Sequence, residues 1–207
     1  MKGKIIAKIK LPKNKNIKYI CKKDKNYYEG LNYAVKKAKG KYIGILNAGD
    51  TYFDNNVLRM VIKKGLSKNC DLLFGNLIYI NDMNDHKRIW KYPIQELNLI
   101  TALKIASPTM FIKKNIAILY PYNTAYNISS DTDFNLCISK KNFNFVYLNK
   151  FLVFMKTGGL STNPWLFLKK MKEDLLILKK YFGILFLIIY AYKIIIKINI
   201  LRFNKRK

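Results

Sequence analysis

The sequence predicts an α/β protein, and three observations carry that prediction. Helix-period and strand-period segments alternate from residue 16 to residue 80. The segment "KYIGILN" (41 to 47) is a continuous apolar run of strand length, the pattern of a strand buried in a parallel sheet. The spacing of the elements suits right-handed crossovers. The expected architecture is a mainly parallel sheet with helices on both faces.

Each element has its own signal. "NIKYICKKD" (16 to 24) reads as a short strand entering a polar turn. "YEGLNYAVKKAKG" (28 to 40) reads as an amphipathic helix, with Leu31, Ala34, Val35 and Ala38 on one face and Gly40 as its stop. "DNNVLRMVIKKGL" (54 to 66) reads as a second helix. Asp54 is its expected N-cap, and Val57, Leu58, Val61 and Ile62 form its stripe. "CDLLFGNLIYI" (70 to 80) is a strand, and residues 81 to 100 are loop-like around Pro93. "SPTMFIKKN" (107 to 115) is a short strand, and "SSDTDFNLCISKKN" (129 to 142) is a helix opening with two acids. "FNFVYLNKFLVFMKTGGLS" (143 to 161) is strand material ending in a glycine turn.

The tail differs in composition. From Trp165 the chain is helical and basic, and "YFGILFLIIYAY" (181 to 192) is wholly apolar. That run is shorter than the roughly 20 residues a spanning helix needs. Extension through Lys193 and Lys197 gives a marginal span with lysines inside it. The favoured reading is a helix in the membrane interface, its lysines reaching the headgroups. A helix packed on the domain and a true span stand as alternatives. The expected division is a domain over 1–162 and a tail over 163–207.

Composition bounds the function classes. The 207 residues are 50% apolar, enough for one domain with an appendage. The net charge of +27 favours anionic partners. The lysines are scattered beside abundant Asn and Ile, which reads as a general compositional bias. No zinc finger or RNA-recognition motif is visible, so a nucleic-acid binder is disfavoured. Cys21, Cys70 and Cys137 show no metal or disulfide spacing and read as reduced thiols of a cytosolic protein. The N-terminus lacks a signal-peptide pattern. The lone histidine, His86, falls in a polar loop and reads as a surface residue.

Two acidic constellations carry the chemistry. Ligands of open α/β sheets bind beyond the carboxyl ends of strands, and Asp50 stands there after Ala48 and Gly49. A carboxylate so placed can hold a hard cation against a diphosphate, or can cap the next helix. In "SSDTDF", Ser130 and Asp133 resemble a capping box. Asp131 is then spare, and it could accept a proton from an attacking hydroxyl.

These motifs together resemble family 2 glycosyltransferases of the GT-A fold, in the colanic-acid, surface-polysaccharide branch. Asp24, Tyr28, Glu29, Asn32, Ala38, Gly40, Tyr42, Ile43, Leu46, Asn47, Ala48 and Asp50 match the central family segment. "SPTMFIKK", "SSDTDFNLCISK" and "FMKTGGLS" resemble later motifs in the family's order. The resemblance covers about residues 17 to 161. It implies a GT-A-like, Rossmann-like sheet and transfer of a sugar from a UDP- or GDP-sugar to a lipid-linked or polysaccharide hydroxyl. It implies that Asp50 holds Mn²⁺ or Mg²⁺ and that Asp131 is the base of an inverting displacement. Asp24, Asn32 and Asn47 would bind the donor, and Gly158, Gly159 and Ser161 would shape the acceptor loop. Asp133 would support its helix start.

The chain also departs from the family. Gly49 replaces an acid, Ser107 stands where histidine is common, and Asn26 stands where glycine is common. The family's opening βαβ unit has no counterpart at the front, which reads as an N-terminal truncation or a half completed by a partner chain. The expected location is the cytoplasmic face of the inner membrane. The alternative function is an inactive remnant acting as a peripheral membrane protein.

Overall fold

The computed structural model describes residues 17–81, 86–157 and 164–202. Residues 17–24 pair with no strand, and Ile17, Tyr19 and Ile20 are exposed. The strand expected there is therefore absent, because a strand requires a neighbour for its backbone groups. Helix α1 (Tyr27–Lys37) opens where the Asn26 side chain accepts the Glu29 N–H at 3.0 Å. Only part of the next apolar run pairs, as β1 (Tyr42–Gly44), and β2 (Thr51–Tyr52) follows. A Cβ on Gly44 would meet the Phe111 ring at 2.5 Å, so this close approach requires glycine.

Helix α2 (Val57–Ser67) starts later than its sequence suggests. Asp54 is not its N-cap: Asn56 holds that position, and Asp54 Oδ1 accepts the Asn56 N–H at 2.6 Å in the preceding turn. This local bond competes with capping. Val57 and Val61 are buried, while Leu58 and Ile62 are exposed.

The long strand β3 (Leu72–Ile80) is followed by β4 (His86–Trp90), inside the stretch that reads as loop. His86 thus opens a strand. Next come α3 (Leu99–Ala102), a 3-10 turn over Ser107–Thr109, β5 (Phe111–Lys113) and α4 (Lys114–Leu119). Helix α5 (Ser130–Ser139), strand β6 (Phe145–Lys156), and helices α6 (Phe167–Phe182) and α7 (Phe186–Arg202) complete the order.

The sheet order is β1-β5-β3-β6-β2, with β4 also on β3. The sheet is mixed, not mainly parallel: β3–β6 is parallel, and the pairs β1–β5, β3–β5, β3–β4 and β2–β6 are antiparallel. The short β3–β4 connection permits only a reversal, since a parallel crossover needs about a dozen residues. Alternate residues of β3 supply two cores. Leu72 and Phe74 pack with residues of α1, α4, α5 and α6, and Leu73 and Leu77 pack with Val57 and Val61 of α2.

The tail is a helical hairpin. Gly183 adopts φ 56°, a conformation that favours glycine, and ends α6. Helix α7 then doubles back, and Lys193 meets Asp174 of α6 at 3.0 Å. Ile177 and Leu178 are fully buried in the same core as Leu72 and Phe74. The hairpin therefore completes the domain's core. Its outer side stays apolar, with Leu168 70%, Ile184 94% and Ile188 67% exposed.

Candidate active site

The turn after β1 is built to present Asp50. The Asp50 N–H donates to the Asn47 carbonyl at 3.0 Å, and Gly49 adopts φ 89°. A side chain at 49 would be strained there, so the glycine that replaces an acid is what this turn requires. Pairing of β2 with β6 sets Thr51 opposite Phe154. It brings the Lys156 N–H to Asp50 Oδ1 at 3.0 Å, while Asn47 Nδ2 donates to Oδ2 at 3.2 Å. Burial raises the Asp50 pKa, and these hydrogen bonds oppose the shift. The Tyr27 hydroxyl donates to Asn47 Oδ1, which extends the chain of contacts to α1.

Asp131 stands in the first turn of α5, and its Oδ1 accepts the Thr132 N–H at 2.8 Å. The loop before it is held by the tail. Glu173 of α6 accepts three main-chain N–H groups: Asn127 at 3.0 Å on Oε1, and Ile128 and Ser129 at 2.9 Å each on Oε2. Lys193 of α7 donates to Thr132 Oγ1 at 3.1 Å. Asp133 is neither cap nor spare; its Oδ1 is paired with Lys180 at 2.8 Å.

Asp50, Asn47 and Asp131 line one cavity of about 650 Å³, a size suited to a small-molecule ligand. Tyr27, also in its wall, links the two acids electrically: burial and then the charges of Asp131 and Asp50 push its pKa up to about 12. Arg88 joins the wall from β4 and stacks on the Tyr79 ring at 3.7 Å. The hairpin adds Lys170, Lys193 and Lys197.

The other expected site residues lie elsewhere. Asp24 is exposed, pairs with Lys22 at 3.3 Å and packs beside Gly30. Asn32 stands outside the cavity wall. It clamps Tyr122 by donating to its carbonyl at 2.8 Å and accepting its N–H at 2.9 Å. Asn32 thus fixes a tyrosine that does line the cavity. Gly158, Gly159 and Ser161 fall outside the described residues. Lys193 and Lys197, read from the sequence as reaching lipid headgroups, instead line the cavity, because α7 folds back on α6.

The donor set bears on a metal. Among the described residues no group of three or more His, Cys, Asp or Glu could hold an ion. The chain builds no closed protein-only metal centre there. Asp50 offers one carboxylate, with the Asn47 amide nitrogen turned toward it, and this fits a hard cation that takes its remaining ligands from phosphates and water.

The fold and this site define an α/β protein of the GT-A type. The sequence model of glycosyl transferase family 2 matches residues 3–133, and the chain belongs to that family. No curated protein matches the chain. Among solved structures it is similar to S. aureus TarS 1–349, with TM-score 0.54 and 15% identity, covering 76% of this chain and 46% of that one. The TarS complex with UDP-GlcNAc gives TM-score 0.54 and 15% identity, covering 76% and 48%. The complex with UDP gives TM-score 0.51 and 15% identity, covering 73% and 44%. The chain spans less than half the length of these structures.

Proposed function

We propose that the protein transfers a sugar from a nucleotide-sugar donor to an acceptor hydroxyl, with inversion, in surface-polysaccharide synthesis. The convergence of Asp50 and Asp131 on one cavity is the observation that carries this reading. The acceptor oxygen attacks the anomeric carbon, and the bond from that carbon to the nucleoside diphosphate breaks. The leaving group departs with the electron pair, and Asp131 takes the hydroxyl proton. Asp50, oriented by Asn47 and the Lys156 N–H, would hold Mn²⁺ or Mg²⁺. When bound, the ion would offset the charge of the leaving diphosphate. TarS forms complexes with UDP and UDP-GlcNAc, which supports a uridine donor.

The outer face of the hairpin supports work at a membrane. Leu168, Ile184 and Ile188 are exposed on a basic tail, a pattern that suits the cytoplasmic lipid interface. The same face would serve a peripheral membrane protein that has lost catalysis, and turnover separates the two readings. Release of nucleoside diphosphate from UDP- and GDP-sugars is measured with Mn²⁺ and a lipid-linked glycan extract. The transferase reading expects release that falls on the order of 100-fold in Asp131→Asn. Release by no donor, or release unchanged in Asp131→Asn, overturns it.

A further inference from the structure

The hairpin places three ammonium groups around the start of α5, where Arg88 adds a fourth cation to the cavity wall and only two carboxylates, Asp174 and Asp131, face them. Lys193 bonds Asp174 at 3.0 Å and Lys170 approaches the same carboxylate at 3.6 Å. Lys170 also donates to Ser129 Oγ at 3.3 Å, and Lys193 to Thr132 Oγ1 at 3.1 Å. Those two contacts flank Asp131 in sequence. Lys197, one turn beyond Lys193, has no hydrogen-bond or ion-pair partner among the described residues, yet it faces the cavity. A half-buried charge without a counter-ion is costly. Burial, then the charges of Lys170 and Lys193, hold the Lys197 pKa down to about 8. Burial works against Asp174 too, but Lys193, Lys170 and Lys197 hold its carboxyl down at about 2. With Asp131 counted beside Asp174, the three lysines and Arg88 still outnumber the carboxylates in the cavity wall.

Such a cluster accepts an anion with several oxygens, and lysine serves phosphate as a point charge. The charge of Asp131 reaches both Lys193 and Lys197, whereas Asp50 takes its hydrogen bonds from Asn47 and Lys156. The lysines thus belong with the proposed base. We infer that Lys170, Lys193 and Lys197 form a subsite for a phosphate group carried by the sugar acceptor, close to the hydroxyl that is glycosylated. This rests on the transferase reading for the word acceptor; the phosphate subsite itself rests on the lysines.

The test is titration of the full chain with glycerol 3-phosphate, with glycerol as the neutral control, and separately with UDP and Mn²⁺. Variants are Lys197→Met, Lys170→Met and the surface control Lys63→Met; methionine keeps the apolar stem and removes the charge. The expected result is that glycerol 3-phosphate binds and glycerol does not. Affinity for glycerol 3-phosphate falls at least about tenfold in Lys197→Met and Lys170→Met, the effect of losing one charge-assisted contact. Lys63→Met is unchanged, and UDP–Mn²⁺ affinity moves less than about twofold. Absence of glycerol 3-phosphate binding, or binding indifferent to Lys197→Met, overturns the subsite. An equal fall in UDP affinity also overturns it, by assigning the lysines to the donor. Lysine-dependent glycerol 3-phosphate binding without UDP binding would keep the subsite and overturn the transferase reading.

Discussion

Glu173 Oε2 accepts the Ser129 N–H at 2.9 Å, so a tail helix fixes the loop that delivers Asp131. The same carboxylate takes the N–H groups of Asn127 and Ile128. In Glu173→Gln at least one of these donors must face an NH₂ group, whichever way the amide turns. An unsatisfied buried donor costs about 1–3 kcal/mol. Denaturant unfolding should show that loss. Sugar-nucleotide turnover should fall while UDP–Mn²⁺ affinity holds, because Asp50 lies on other elements.

The hairpin serves two surfaces, and paired substitutions separate them. Leu178→Ala opens a cavity in the shared core and should cost about 2–5 kcal/mol, read by denaturant unfolding. Leu168→Ser with Ile184→Ser touches exposed positions and should leave stability within about 0.5 kcal/mol. That pair should weaken sedimentation with anionic phospholipid vesicles several-fold.

Gly49 tests the turn that presents Asp50. Its φ of 89° strains any side chain, and a Cβ would meet Lys156 Cδ at 3.3 Å. Gly49→Ala should cost about 1–3 kcal/mol of stability. Calorimetry should show Mn²⁺-dependent UDP binding weakened in step, because the turn and the Asp50–Lys156 contact share this backbone.

Lys197 gives a pH signature. Its folded value of about 8 lies below the 10.5 of a free lysine. Below pH 8 both states are protonated, and the folded state bears the full cost of the charge. Between pH 8 and 10.5 the folded state has released the proton while the unfolded state keeps it, so stability rises with pH. Lys197→Met should therefore melt higher than the parent at pH 7, and the difference should shrink from pH 8 to pH 10. The facing charges are Lys170 and Asp174 of α6, Lys193 of α7, Asp131 of α5 and Arg88 of β4.

Much of the site is legible in the sequence because its signals are local. An apolar run ending at Asn47, a glycine and Asp50 reads directly as a strand delivering an acid, and "SSDTDF" reads as a helix start. The family resemblance also placed Asp50 and Asp131 in one reaction, and the structure places both in one cavity. Partner identity is not local. Asp24 and Asn32 carry the right residue types, yet one pairs with Lys22 and the other clamps Tyr122. The antiparallel pairings of β4 and β5 depend on which edges meet, a matter on which period-two patterning is silent. The tail shows this most clearly. Its apolar run reads as continuous, and the cue to a fold-back is Gly183, with Asp174 and Lys193 nearly equidistant on either side of it.

In the proposed reaction Asp50 serves the donor and Asp131 the acceptor. This division is tested most directly by calorimetric titration of UDP into the full chain, with and without Mn²⁺. Asp50→Ala and Asp131→Asn are measured beside the parent. Mn²⁺-dependent binding should be lost in Asp50→Ala and kept in Asp131→Asn. A folded parent that binds no UDP, or binding that survives Asp50→Ala, would contradict this division.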